Sequence, residues 1–202
     1  MITIGLDELT FKVKVTPSLS NSPGLSTIRI KAKHPHHGCI GTLEGHQILR
    51  DDRLQGSFVD YMYEETDEIA EFADGVFDQY MEVNRKIVNR GNRCWGEEMN
   101  EGAIVYIHTL EVLEEFGNQG IATRLLKELM ASALVDEDTI VYAWPTTTRE
   151  RTVAARIEAA ARVVKLFRKN GFRRLGLTVW FGYSPDPAHP SRSLPATEDV
   201  DI

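Results

Sequence analysis

The second half of the sequence alternates segments of strand character with segments of helical character, and this order limits the folds open to the chain. Residues 103–112, 139–144 and 177–183 are short, apolar and β-prone. Between them, residues 120–135 and a stretch from 148 or 149 to 169 carry apolar side chains at spacings of three and four, as amphipathic helices do. This order predicts a mixed α/β sheet that contains a parallel βαβ unit.

The first half adds further strands and one long helix. Residues 10–15 and 27–33 alternate apolar and polar side chains, which indicates half-buried strands. Residues 38–50 and 57–63 are two further strand candidates. From Glu65 to about Asn89 the apolar period changes to three and four, which predicts an amphipathic helix.

Length and charge narrow the class of protein. The 202 residues suit one domain, which we place at 1–184, followed by an extended or mobile tail over 185–202, rich in Pro and then acidic. Net charge of −7 argues against nucleic acid as a partner, because such binding depends on clustered Lys and Arg. The sequence shows no signal peptide and no apolar run of the ~18 residues that a membrane helix needs. We therefore expect a soluble cytoplasmic protein without a membrane partner.

Two groups of residues suggest metal or thiol chemistry at first sight. His34, His36 and His37 stand close together, but no nearby carboxylate or cysteine completes a metal site, so we expect a polar loop and no metal. Cys39 and Cys94 have no metal-ligand spacing. No base is identifiable near Cys94, so a catalytic thiol there is not favoured.

The segment from Gly117 to Thr123 is the most informative part of the chain. It joins a strand to a helix through a turn containing Gly117, Gly120 and Ala122, whose small size lets an anion approach the backbone closely. The N–H groups at a helix start have no intrahelical partners, so they bind phosphate without any lysine. The glycine spacing matches neither the Gly-x-Gly-x-x-Gly dinucleotide motif nor a P-loop. A helix that simply begins at a glycine turn is the alternative explanation.

The context of this turn resembles the coenzyme A-binding segment of the GNAT-type N-acetyltransferases. The strand-loop-helix from Leu110 to Leu126 is similar to the family's pyrophosphate turn, Gln/Arg-x-x-Gly-x-Gly/Ala. Some forty residues later, Val164 to Phe172 resembles the family's helix that ends in Gly-Phe. The resemblance covers residues 103–183, which would form the cofactor-binding half of the domain.

This resemblance implies a GNAT-like fold in which the central strands, 103–112 and 139–144, splay apart to hold acetyl-CoA as cosubstrate. The pyrophosphate would lie on the backbone of residues 118–123, and the thioester oxygen and pantetheine arm would contact the backbone near Leu110 and Val112. The cofactor-binding residues that the resemblance implies are Leu110, Val112, Gly117, Asn118, Gln119, Gly120, Ile121, Ala122, Thr123 and Phe167.

Two positions depart from the family pattern. Gly117 replaces the usual Gln or Arg, which removes one side chain from the pyrophosphate loop, so we expect weaker cofactor binding. Phe167 stands where many members carry the tyrosine that protonates the leaving thiolate. Tyr106, Tyr142 and Tyr183 could substitute for it, or no protein acid is used.

Acyl transfer to an amine requires a group that takes the amine's proton. With a regular period of two, Tyr106, His108 and Leu110 share one face of their strand. Tyr106 and His108 match positions where family members carry a base, and an imidazole with a reference pKa near ~6.5 suits that task. A hydrogen-bonded structural histidine is the alternative.

We therefore predict an acetyl-CoA-dependent N-acetyltransferase that transfers acetyl directly to an amine of a small molecule or peptide, with His108 and Tyr106 at the catalytic centre. A catalytically degenerate acyl-CoA-binding or protein-interaction module of the same fold is the alternative. The sequence does not specify the acceptor, the acyl length or the oligomeric state.

Overall fold

Seven strands form one sheet in the order β1-β2-β3-β4-β5-β7-β6 within the residues that the computed structural model describes, namely 2–18, 24–50, 62–63, 65–147 and 152–201. All strand pairs are antiparallel except β4–β5, which is parallel. The strands are β1 (Thr10–Pro17), β2 (Leu25–His34), β3 (Gly38–Ile48), β4 (Ile104–Val112), β5 (Ile140–Ala143), β6 (Arg173–Arg174) and β7 (Phe181–Tyr183). The helices are α1 (Asp67–Val76), α2 (Arg85–Val88), α3 (Ile121–Met130), α4 (Val153–Lys169) and α5 (Pro190–Ser193), with 3-10 turns at Leu6–Glu8, Glu97–Asn100 and Glu114–Phe116.

The alternation of strands and helices predicted for the second half is confirmed. β4, α3, β5, α4 and β7 lie within or close to the predicted segments, and the additional two-residue strand β6 precedes β7. Gly171 has a φ of +91°, as a glycine that follows a helix end requires. Most of the strand expected over 57–63 lies outside the described residues, although Met62 and Tyr63 are helical.

The long helix expected over 65–89 is interrupted. α1 ends at Val76, and α2 begins only at Arg85. Between them, the Asp78 carboxylate accepts hydrogen bonds from the backbone N–H groups of Tyr80 at 2.8 Å and of Glu82 at 3.1 Å. An aspartate that binds the backbone in this way competes with the helical hydrogen bonds, so the apolar period continues through a turn.

Separate apolar cores cover the two faces of the sheet. On one face, Phe72 of α1 stacks on Tyr106 of β4 with 4.7 Å between the ring centroids. On the other face, α3 and α4 pack against the sheet through Leu125 and Phe167. The helices thus lie on both faces of the sheet, with the crossover helix α3 of the βαβ unit on one face and α1 on the other.

β4 and β5 separate part of the way along β4. Their parallel pairing runs from Ile104–Ile140 to Ile107–Ala143. β4 then continues to Val112, whereas β5 ends and is followed by Trp144 and Pro145. Beyond Ile107, the described part of the chain offers β4 no partner strand on this side. The expected splay of the central strands is therefore confirmed, and it leaves an opening beside residues 108–112.

The C-terminal segment expected as an extended or mobile tail packs against the domain. It contains α5, and its Asp199 side chain is fully buried. The Asp199 carboxylate lies 2.8 Å from Arg168 Nε and accepts a 2.7 Å hydrogen bond from Asn92. These partners come from distant parts of the sequence, so composition alone did not reveal that the acidic end is held in place.

Candidate active site

The loop before α3 presents its backbone to the opening between β4 and β5. Asn118 has a φ of +59° and Gly120 a φ of +85°, so the chain turns sharply immediately before the helix. Gly120 occupies the N-cap position, where no side chain accepts a hydrogen bond from the first turn. Left-handed residues in such a turn form a concave group of N–H donors, and the helix dipole adds positive potential. This helix start can therefore hold a phosphate group.

A cavity of about 330 Å³ lies between this helix start and α4. Six of the residues that the resemblance implies for the cofactor line it, and α4 supplies much of the opposite wall. The lining residues are Val112, Phe116, Asn118, Gly120, Ile121, Ala122, Thr123, Thr147, Ala159, Arg162, Val163 and Leu166. The wall is mostly apolar, and Arg162 contributes a cationic side chain.

Four residues expected at the cofactor are not among those that line the cavity. The Gln119 side chain faces the N-terminal segment, where its amide oxygen accepts a 3.0 Å hydrogen bond from Ile4 N. Gly117 N donates to Glu114 O at 3.0 Å, which closes the preceding 3-10 turn. Gln119 and Gly117 thus shape the loop, and Leu110 and Phe167 contribute to the apolar core.

Phe167 is buried in that core with its ring edge-on to Phe172, 5.0 Å between centroids. Its neighbour Leu166 lines the cavity instead. The residue at the family's tyrosine position therefore packs inside the protein.

A β-bulge at His108 corrects the prediction that Tyr106, His108 and Leu110 share one face. In the β3–β4 register Gly45 is opposite Ile107 and Glu44 is opposite Thr109, so His108 is the extra residue. Tyr106 belongs to the core on the α1 face, whereas Leu110 packs against the core on the α3 face. A bulge shifts the alternation by one residue and redirects side chains, which is why bulges occur next to active sites.

Gly45 makes this bulge possible. A Cβ atom at this position would lie 2.3 Å from the carbonyl oxygen of Tyr106, well inside the contact distance of two atoms. Only glycine allows β3 to approach the bulged strand so closely. The position of His108 therefore depends on a glycine in the neighbouring strand.

His108 contacts two side chains. Its Nδ1 lies 2.9 Å from the hydroxyl oxygen of Thr109, within hydrogen-bonding distance. Its ring centroid lies 5.3 Å from that of His46, which is opposite Tyr106 in the strand register. The partly exposed His108 is thus held beside the opening by its own strand and by β3.

His46 is buried behind His108, and its Nδ1 has no hydrogen-bond partner among the described residues. This nitrogen lies 3.6 Å from a carboxylate oxygen of Glu65, a distance at which an ion pair would form if the ring were protonated. Burial, followed by the charge of His108, lowers the pKa of His46 to about 4, although Glu65 acts in the opposite direction. Burial outweighs the carboxylate, so His46 is neutral at pH 7.

Acid should destabilise the protein through His46. Above pH 6.5 the ring is neutral in both the folded and the unfolded chain, whereas between pH 6.5 and about 4 mainly the unfolded chain takes up the proton. The free energy of unfolding should therefore fall by about 3 kcal/mol across this window, at about 1.4 kcal/mol per pH unit. Urea denaturation of wild type and His46→Gln at several pH values measures it. In His46→Gln the free energy of unfolding should depend less on pH in this window, whereas His36→Gln, at an exposed site, should keep the wild-type dependence. The same pH dependence in wild type and His46→Gln would contradict the lowered pKa of His46.

Tyr106 is fixed by α1. Its hydroxyl donates a 2.6 Å hydrogen bond to a Glu68 carboxylate oxygen. Burial and this carboxylate raise the pKa of Tyr106 far above its usual value, so it cannot act as a base at neutral pH. Its proton is already engaged with Glu68, which also limits it as an acid.

Neither of the other two tyrosines is among the residues that line the cavity. Burial raises the pKa of Tyr142, whose charged neighbours include Arg50. Its hydroxyl has no hydrogen-bond partner among the described residues, and Arg50 donates to Gly102 O, just before β4 begins. The Tyr183 ring is covered by the Arg192 guanidinium at 4.6 Å.

The remaining sequence candidates lie elsewhere. His34 Nε2 is 2.8 Å from a Glu8 oxygen, and His37 packs beside Phe116. Among the described residues, no group of His, Cys, Asp and Glu side chains is arranged to hold a metal ion. Burial raises the pKa of Cys94 to about 12, so its thiol is a poor nucleophile at neutral pH. In the described ranges no helix has the length and apolar character needed to cross a bilayer.

Sequence reasoning missed His46, Thr109 and Gly45. Nothing local distinguishes them, because their roles depend on the register between β3 and β4. The glycines within β3 were the available signal, since a glycine inside a strand often marks a bulge or a close approach of another backbone.

Comparison with known proteins gives one strong match. The model of the Acetyltransferase (GNAT) family matches residues 33–172. No curated protein matches the chain. Similar solved structures include Arabidopsis thaliana NAA60 with a bisubstrate analogue (18% identity, TM-score 0.38) and with acetyl-CoA (19%, 0.39). These cover 78% of this chain and 75% and 76% of the NAA60 chains. Because the family model spans more than half of its 202 residues, the chain belongs to the GNAT acetyltransferase family.

Proposed function

We propose that this acetyltransferase moves an acetyl group from acetyl-CoA directly to an amine of a small molecule or peptide, with His108 as the base. One observation carries the proposal: the uncapped start of α3 and the bulged His108 both lie beside the same opening along β4. The first supplies phosphate-binding N–H groups, and the second supplies a partly exposed imidazole.

The helix start would bind the pyrophosphate of acetyl-CoA through backbone donors of residues 118–123. The lining residues of the 330 Å³ cavity include the small side chains of Gly120 and Ala122, so the backbone stays accessible. Arg162 on the opposite wall could add one cation. Val112 would lie along the pantetheine arm. Backbone donation explains how a chain of net charge −7 can hold a polyanionic cosubstrate.

The reaction balances without a metal or a covalent enzyme intermediate. The amine nitrogen attacks the thioester carbon, the C–N bond forms, and His108 takes the amine proton. A β4 N–H past Ile107, where β5 no longer pairs with β4, would stabilise the oxyanion of the tetrahedral intermediate. The C–S bond then breaks, and coenzyme A leaves as a thiolate that is protonated by solvent, since Phe167 cannot donate a proton and Tyr106 donates to Glu68.

The acceptor would enter from the α1 side, where Glu65 and Glu68 accompany His46 and Tyr106. Glu65 is buried and Glu68 is bound to Tyr106, but both place negative charge on this side of His108, which favours an acceptor that carries a positive charge before it reacts. The substrate class that we infer is therefore a cationic amine, as either a small molecule or a peptide.

Binding can be tested separately from catalysis with two variants of one residue. Ala122 lies in the first turn of α3, where a carboxylate favours the helix but repels phosphate. Ala122→Glu should therefore fold normally and lose the stabilisation by acetyl-CoA, which for a ligand at 100 times its Kd amounts to about 2.7 kcal/mol. Ala122→Gln has nearly the same shape without the charge and should keep most of the thermal shift.

Catalysis is tested by the release of coenzyme A with a panel of amines, from polyamines to peptides with free N-termini, and by mass spectrometry of the acetylated product. Turnover with at least one amine supports the proposal. A thermal shift with acetyl-CoA but no turnover with any amine would instead indicate the catalytically degenerate binding module. Absence of any shift would overturn the assigned cosubstrate site.

A further inference from the structure

We propose that Thr109 is a positioning residue that fixes the tautomer of His108: its hydroxyl oxygen accepts a hydrogen bond from Nδ1–H, which leaves Nε2 as the proton acceptor. This inference rests on the proposed function of His108 and extends it to a residue outside the resemblance. It starts from a contact that a regular strand does not allow.

Neighbouring residues of a strand point to opposite faces of the sheet, so their side chains do not meet. His108 and Thr109 are neighbours, yet His108 Nδ1 and Thr109 Oγ1 lie 2.9 Å apart. The bulge explains the contact: the β3 register passes from Gly45–Ile107 to Glu44–Thr109 and leaves His108 unpaired. The bulge, with Gly45 opposite, thus brings the two polar side chains to one side of the strand.

The hydrogen bond with Thr109 occupies Nδ1 of the His108 ring and leaves Nε2 available for the substrate. With Nδ1 directed at Thr109, only Nε2 remains to face an acceptor amine. A neutral histidine carries its proton on one nitrogen, so Nε2 can accept a proton only when Nδ1 carries the hydrogen. Thr109 must then accept the hydrogen bond from His108. This is the general arrangement in which a third group orients a catalytic base.

The other groups around His108 are less suited to this task. His46 of β3 faces its ring at 5.3 Å between centroids, but no hydrogen bond joins the two rings among the described residues. Tyr106 of β4 donates to Glu68 of α1, and Glu65 lies beside His46. Glu44, opposite Thr109 in the β3 register, forms an ion pair with Arg29. Thr109 is thus the one hydrogen-bond partner that the structure gives the His108 ring among the described residues.

The direct test is nitrogen NMR of ¹⁵N-histidine-labelled protein above pH 8, with the His108 signals assigned by their loss in His108→Gln. In wild type the neutral ring should carry its proton on Nδ1. Thr109→Val keeps the shape but removes the oxygen, so the proton should move toward Nε2, whereas Thr109→Ser should restore the wild-type tautomer. A proton on Nε2 in the wild type, or no change in Thr109→Val, would overturn the proposal.

Kinetics gives a second readout. Thr109→Val should lower kcat for acetyl transfer by about 10-fold to 100-fold, taking as a guide the cost of removing a hydrogen-bond partner that orients a metal-binding histidine, with the KM for acetyl-CoA unchanged. Thr109→Ser should recover most of the rate, and its pH profile should match that of the wild type. If His108→Gln is fully active, the base assignment fails whatever the tautomer. If His108→Gln is inactive while Thr109→Val is fully active, only the role of Thr109 fails.

Discussion

Replacing His108 with glutamine should lower kcat for acetyl transfer by about 100-fold to 10,000-fold, the range typical for loss of a general base. The amine must lose a proton as the C–N bond forms, and a glutamine amide cannot take it. The neighbouring groups do not substitute: His46 is buried and has a lowered pKa, and the Tyr106 hydroxyl donates to Glu68. The effect should therefore appear in kcat.

Binding of acetyl-CoA should be nearly unaffected in His108→Gln, because the cavity-lining residues come from the end of β4, the loop and first turn of α3, the segment after β5 and α4, and do not include His108. The thermal shift with acetyl-CoA measures this directly. His36→Gln, at an exposed loop position, is the matched control and should retain wild-type turnover. Wild-type kcat in His108→Gln would exclude the residue as the base and direct attention to water or to the Glu65 side of the site.

The parallel βαβ unit and the helix start could be predicted because they depend on local chemistry. The helix over 121–130 follows from the apolar spacing of its own residues, and the turn before it follows from the small residues around Gly120. The structure has both the helix and the turn where the sequence predicted them. The interruption of the helix after Val76 also has a local cause, but only one side chain indicates it. Asp78 binds two backbone N–H groups, whereas the apolar spacing continues past this residue as if the helix went on.

The geometry around His108 could not be predicted, because it depends on pairing between strands. A period of two assumes that β4 is regular, and one extra residue opposite Gly45 is enough to separate Leu110 from Tyr106. The orientation of Gln119 has a similar origin. Its side-chain amide binds Ile4, 115 positions away, so this side chain holds the N-terminal segment, while the expected phosphate contact concerns only its backbone.

Replacing Asp199 with asparagine should destabilise the fold by about 3 kcal/mol, although the residue lies only three positions from the C-terminal end. Its carboxylate is fully buried and meets several donors: Arg168 Nε at 2.8 Å, Asn92 Nδ2 at 2.7 Å and Arg174 N at 3.2 Å. An asparagine presents one oxygen and an NH₂ group to the same donors. The guanidinium of Arg168, only 13% exposed, would then lose its buried counter-charge.

Asp201 provides a matched control because it contacts the same guanidinium at the same 2.8 Å but is 83% exposed. Water screens that pair, so Asp201→Asn should cost less than about 1 kcal/mol. Urea denaturation of both variants at pH 7 gives the comparison. A large difference would show that burial, and not the count of ion pairs, determines how firmly the C-terminal segment is held to α4, β6 and the loop around Asn92. Equal small losses would mean that this segment contributes little to stability despite its buried carboxylate.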